Sequence, residues 1–246
     1  MPNYNRNKNL KIAGFFGQSG SGKTTIIRNT AKKINSHVIF QNTGIIRYLF
    51  KKNSHIKGYY VSPRQLIDDN AKILEELEGE KRDAKIDEIY ESYIRSQFRL
   101  LNDWSTEVYL TTTEEYSTPC ILLVDRSPID FYALTICGMR LLRETYKKRL
   151  NDLCSWLMYL IRQTAEDNTN NFFNAIFVTK PWKTSDINKL KDGIRDQYLE
   201  DHYVGKKWYN KYKDVDLRDT ETFYINESVI KLEERAELVN EKLKEI

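Results

Sequence analysis

The residues best suited to chemistry lie together in Gly17-Gln18-Ser19-Gly20-Ser21-Gly22-Lys23-Thr24-Thr25. The stretch fits the spacing G-x-x-x-x-G-K-[ST] in full. Glycines let the backbone turn tightly, so that successive N–H groups face one point and can hold β- and γ-phosphate oxygens. Lys23 supplies a charge that can follow a γ-phosphoryl group into its transition state, and Thr24 offers a hydroxyl to Mg²⁺. Gly17, Ser19, Gly20, Ser21, Gly22, Lys23, Thr24 and Thr25 are therefore expected to bind ATP with Mg²⁺.

Such a loop works between a buried strand and an amphipathic helix, and both flanks are present. Residues 10–16, LKIAGFF, form a short apolar run ending at the loop. After it, Ile26, Ile27, Thr30, Ala31 and Ile34 share one helical face, and the positive end of that helix points at the phosphates. A phosphate loop also needs a carboxylate at the tip of a neighbouring strand to hold the hydrated metal. The run ILLV at 121–124 ends directly in Asp125, which with Thr24 forms the expected metal site. Arg126 follows, and its guanidinium can fork onto phosphate oxygens at the same place.

Further strands are expected at HVIF (37–40), NAIFVTK (174–180) and TFYIN (222–226). Residues 44–51 read as helix. Ser62, Pro63 and Gln65 form a helix start, with the helix running to about Glu78 and stopping at Gly79. A second long helix carries Ile86, Ile89, Tyr90, Tyr93, Ile94, Phe98 and Leu101 on one stripe. Helices then fill 129–145 and about 147–166, and a last one carries Val229, Leu232, Ala236, Val239, Leu243 and Ile246. Strands alternating with helices predict an α/β fold with a five-stranded parallel sheet covered on both faces. The whole chain, 1–246, reads as one domain with a helical insert at about 52–118.

Asp125-Arg126-Ser127-Pro128 at a strand end resembles the DR or ER motif of nucleoside and thymidylate kinases. The resemblance implies a P-loop kinase in which the carboxylate contacts the attacking oxygen or the metal, and the arginine orients the acceptor. Lys180-Pro181-Trp182 followed by Asp192-Gly193-Ile194-Arg195 resembles the lid of the P-loop group that includes ribosylnicotinamide kinases and phage AAA-family proteins. It implies a lid at about 183–215, with Arg195 closing over the transferred phosphate. Lys23, Asp125, Arg126 and Arg195 are thus the expected catalytic set. On the acceptor side, Gln41 stands at the carboxyl end of the second strand, and Arg47 and Arg64 are placed to meet acceptor phosphates. Gln97 resembles the helix glutamine that reads the base in deoxynucleoside kinases; an amide can pair twice with a pyrimidine edge.

Bulk properties narrow the alternatives. Cys120, Cys137 and Cys154 include no C-x-x-C pair, and His37, His55 and His202 are scattered, so neither a disulfide framework nor a zinc site is expected. A reducing, cytoplasmic setting follows (host cytoplasm if the chain is viral). The apolar stretch around Trp156 to Ile161 is too short to span a bilayer, so no membrane partner is expected. The net charge of +4 is too small to mark a nucleic-acid binder by itself. Locally, however, KKWYNKYK at 206–213 sets Lys206, Lys207, Lys211 and Lys213 among aromatics, a pattern able to hold DNA phosphates and stack bases. The leading expectation is γ-phosphate transfer from ATP to a nucleoside, nucleotide or related hydroxyl. The alternatives are a phage-type kinase acting on 5-hydroxymethyluracil within DNA, and a P-loop ATPase switch or binding module.

Overall fold

The computed structural model describes residues 9–17, 21–34, 37–41, 44–112, 118–179, 211–225 and 232–246. Strands β1 (Leu10–Phe16), β2 (His37–Gln41), β3 (Cys120–Val124), β4 (Ala175–Thr179) and β5 (Glu221–Ile225) form one sheet in the order β2-β3-β1-β4-β5. Every pairing is parallel. The described α-helices are α1 (Lys23–Lys33), α2 (Gly44–Lys52), α3 (Pro63–Glu75), α4 (Gly79–Thr112), α5 (Pro128–Tyr146), α6 (Asp152–Phe172) and α7 (Leu232–Leu243).

The pleat of the central strands explains why both sheet faces are covered. Side chains alternate between faces along a strand, and here both sets are apolar. Ile12, Leu122, Val124, Ile176 and Val178 join the larger core beneath α4, α5 and α6, where Trp104 lies 5.3 Å from the ring of Phe131. Ala13, Phe15, Leu123, Ala175 and Phe177 face the other way, against Ile26 and Ile27 of α1 and Val239 and Leu243 of α7. On that face Phe15, Phe177 and Phe223 stack across three strands, with centroids 5.1 and 5.3 Å apart. The result is the three-layer parallel α/β architecture expected from the sequence.

The order of strands decides where a site can form. From β1 the chain crosses to β2 and returns to β3 on one side, then passes to β4 and β5 on the other. Adjacent loops therefore diverge beside β1, leaving a crevice at the carboxyl ends of β1, β3 and β4.

Three local expectations are corrected. Gly79 does not stop α3, which ends at Glu75 with Glu76 as its cap; Gly79, at φ +53°, opens α4 instead. A residue that tolerates positive φ serves either end of a helix, and residues 76–78 separate the two. Helix α6 begins at Asp152 rather than near 147, because Lys147 turns left-handed (φ 56°) and Asn151 caps the new helix by accepting from the Cys154 N–H. The insert is not helical throughout, since residues 53–62 link α2 to α3 by turns and irregular chain. Among the described residues, no helix is long and apolar enough to cross a membrane.

Candidate active site

Residues from β1, α1, β3, α5 and β4 meet at the carboxyl edge of the sheet. Gly17 leaves β1 with φ +153°, and a Cβ there would stand 2.0 Å from Thr179 Oγ1. Only glycine lets the chain turn so close to β4. The Thr179 hydroxyl is 2.9 Å from both the Phe16 carbonyl and the Ser21 hydroxyl, tying the loop's two ends to the tip of β4. Gly22, at φ 87°, closes the loop and starts α1, its carbonyl accepting from the Ile26 N–H at 2.9 Å.

Lys23 and Thr24 then emerge on the first turn of α1. Lys23 is buried, and its Nζ donates to the Gly17 carbonyl at 2.6 Å, so the ammonium lies across the mouth of the loop. The Thr24 hydroxyl donates to Asp125 Oδ2. That contact joins positions 101 apart in sequence and pairs the two groups expected to hold Mg²⁺. A hydroxyl and a carboxylate, both hard oxygen donors, suit that ion, which is commonly held by one or two protein oxygens together with substrate phosphates.

The end of β3 shapes the other wall. The Arg126 N–H donates to the Val124 carbonyl at 3.0 Å, a three-residue turn that projects Asp125 from the strand tip. Arg126 itself sits at φ 135°, a backbone region that side-chain-bearing residues rarely adopt. Its Nε and Nη1 are buried and have no hydrogen-bond partner among the described residues. Its charge is nonetheless felt on two sides. It opposes the burial that raises the phenol of Tyr60, and the burial that raises the carboxyl of Asp130.

Asp130 escaped the sequence reading. It is fully buried on the first turn of α5, accepting from the Ser127 N–H (2.8 Å), the Ser127 hydroxyl (3.0 Å) and, more weakly, the Gly17 N–H (3.4 Å). Burial lifts its carboxyl above the ordinary aspartate value, while Lys23, Arg126 and the two N–H donors pull it partway back. The available signal was the capping spacing Ser127-x-x-Asp130. Thr179 carried no comparable signal.

Lys23, Thr24, Asp125 and Arg126 are thus gathered around Gly17 and Ser21. Thr25 is exposed on α1 beside them. Gln41 ends β2 level with Val124, one residue before Asp125, and Arg47 lies in α2. Arg64 is exposed on the first turn of α3. Gln97 is buried in α4, with Nε2 only 3.5 Å from the Ser96 hydroxyl. It stands one turn beyond Tyr93, whose hydroxyl donates to the Leu134 carbonyl of α5 at 3.1 Å. Ser19, Gly20, Arg195, Lys206 and Lys207 lie outside the described residues. Lys211 falls in a short 3₁₀ turn, Lys211–Asp214, and Lys213 is exposed.

No protein-family model and no curated protein matches this chain. Its fold does match solved structures of the deoxyadenosine kinase from M. mycoides. With the products dCMP and a flexible dCDP bound, that enzyme aligns at a TM-score of 0.51 and 15% identity, covering 96% of this chain and 100% of that one. With dCTP the values are 0.51, 14%, 96% and 100%, and with dATP 0.52, 15%, 95% and 99%. The chain has a P-loop fold of the nucleoside-kinase kind. At this identity the likeness speaks for the fold alone.

Proposed function

We propose that this protein is a Mg²⁺-dependent phosphotransferase that moves the γ-phosphoryl group of ATP to the hydroxyl of a nucleoside. The observation that carries the reading is the Thr24 hydroxyl on the Asp125 carboxylate, which brings together Lys23 and Arg126, the residues next to them in sequence. In the transfer, the acceptor oxygen forms a bond to the γ-phosphorus as the bridging bond to ADP breaks. The hydroxyl proton passes to Asp125, the carboxylate at the strand tip. Lys23 neutralises charge growing on the phosphoryl oxygens, and Arg126 orients the acceptor. Mg²⁺, when held by Thr24 and Asp125, supplies further charge neutralisation at the phosphates.

An arginine beside the carboxylate favours a kinase over an ATPase switch, because its charge is felt at Tyr60, between α2 and α3, as well as at Asp130. The deoxynucleotides bound by the M. mycoides enzyme support a nucleoside acceptor. Buried Gln97, on an insert helix packed against α5, is the proposed base-reading residue, with Gln41, Arg47 and Arg64 around the acceptor and Arg195 in the lid.

The test is a transfer screen with γ-labelled ATP over nucleosides, nucleotides and duplex DNA containing 5-hydroxymethyluracil. Labelled nucleoside monophosphate, absent with Lys23→Ala, is the expected product. Label in the duplex alone would move the acceptor to DNA and direct attention to Lys206, Lys207, Lys211 and Lys213. Phosphate release without any labelled acceptor would leave an ATPase.

A further inference from the structure

Among the described residues, the largest fully buried side chain after Trp104 is not apolar. It is Arg235 on α7. On the same helix Val239 and Leu243 pack against the sheet and α1 as the sequence pattern predicts, and Ala236 is buried. A guanidinium among them is expensive, because burial strips water from a group that stays charged. Desolvation accordingly lowers the pKa of Arg235 from its ordinary value. Methionine or leucine would fill comparable space without that cost, so packing alone does not explain the residue.

What the guanidinium touches does. Arg235 Nη1 donates to the Ser21 carbonyl at 3.3 Å, across 214 positions of sequence. Ser21 is itself fully buried, its hydroxyl held by Thr179. The residue before Gly22 is thus gripped at its side chain from β4 and at its carbonyl from α7. In a trans peptide, C=O and N–H point in opposite directions. With the Ser21 carbonyl turned to Arg235, the Gly22 N–H is turned away from it. A charged donor on the carbonyl also polarises the amide and strengthens its N–H as a donor.

We infer that Arg235 is a positioning residue for the polyphosphate: it fixes the Ser21–Gly22 peptide with its N–H toward the phosphate site and sets a buried positive charge behind the loop. The inference rests on the nucleotide site proposed above and goes beyond it, since it makes the C-terminal helix part of the phosphate cradle.

The probe is inorganic tripolyphosphate, which carries the phosphates without base or ribose. Binding is measured by calorimetry well below the unfolding transition, for wild type, Lys23→Ala, Arg235→Met and Arg235→Lys. Arg235→Met is expected to weaken tripolyphosphate by about ten- to a hundredfold, the range for a lost charged hydrogen bond, and Arg235→Lys by less. The Gly22 amide proton should move upfield in both variants in a nitrogen–proton spectrum, while that of remote Gly138 stays in place. A purely packing role would lower the melting temperature but leave the affinity and the Gly22 resonance at wild-type values, and that result overturns the inference. Should Arg235→Met fail to fold, the same two measurements on Arg235→Lys decide the matter. The two readings fail separately. Wild-type binding that is lost in Lys23→Ala but untouched by Arg235 variants removes only the role of Arg235; no binding by wild type removes both.

Discussion

The proposed donor and acceptor halves of the site are built differently. On the proposed donor half the loop is tied by direct hydrogen bonds: Lys23 to Gly17, Ser21 to Thr179 and Arg235, Thr24 to Asp125, and Gly17 to Asp130. On the acceptor half, among the described residues, Arg126 holds a strained backbone with two buried nitrogens lacking hydrogen-bond partners, and Gln97 makes only a long contact with Ser96. A cradle for phosphates must be preorganised to stabilise charge as it develops, so the fold commits its groups in advance. Groups that recognise an acceptor keep donors uncommitted and spend them on the ligand. The same contrast explains why the donor is readable and the acceptor is not.

Asp125 joins the two halves, and its replacement should have the largest effect. Asp125→Asn keeps the size but loses the charge proposed to accept the hydroxyl proton and to help hold the metal. We expect kcat to fall by about 10²–10⁴-fold, with ATP affinity changing far less and Mg²⁺ dependence weakened. Steady-state rates across a magnesium titration, with nucleotide Kd measured separately, test this. An unchanged kcat would place the essential carboxylate elsewhere.

Arg126 sharpens the comparison because strain and function should separate there. Arg126→Gly relieves the positive φ and removes two buried nitrogens without hydrogen-bond partners among the described residues, so urea unfolding should show a gain of about 1 kcal/mol. The same change should cost about ten- to a hundredfold in kcat/KM for the acceptor, with ATP binding retained. Loss of stability together with activity would make Arg126 a structural residue, and the acceptor half would no longer differ from the donor half.

These assignments also show which parts of the molecule sequence reasoning reaches. The loop, its strand and its helix were legible because Gly17 to Thr24 lie in one run whose spacing has a single physical use. Asp125 was legible because one apolar run ends in an acid. The sheet followed from strands that are apolar on both faces. The residues that lock the loop were not legible. Asp130 meets Gly17 from 113 positions away, Thr179 meets Ser21 from 158, and Arg235 meets it from 214. Before the fold is known, each is an ordinary threonine, capping aspartate or helix arginine. Gly79 was misread for the opposite reason: the local signal was real, but one conformational preference serves two positions.

Asp130 offers the smallest expected effect and the finest test of how the donor half is tuned. Its carboxyl is raised by burial above the unfolded value near 3.8, despite the nearby charges of Lys23 and Arg126. A raised folded pKa means that the folded protein holds this proton more tightly than the unfolded chain does. The stability it contributes is fully present below the unfolded pKa and is lost as pH rises through the folded pKa. Asp130→Asn cannot titrate and keeps an acceptor for Ser127, giving up mainly the longer contact to Gly17. Other groups titrate nearly alike in both proteins, so the wild-type advantage in unfolding free energy should shrink as pH climbs through the window above about 3.8, then level off. Turnover at neutral pH should fall by less than about tenfold, because only the weaker tie to the loop is lost. Chemical denaturation of both proteins across the acidic range reads the difference directly. An advantage that grows with pH would mean that Lys23 and Arg126 outweigh burial. Asp130 would then act as a counter-ion that holds their charges in place.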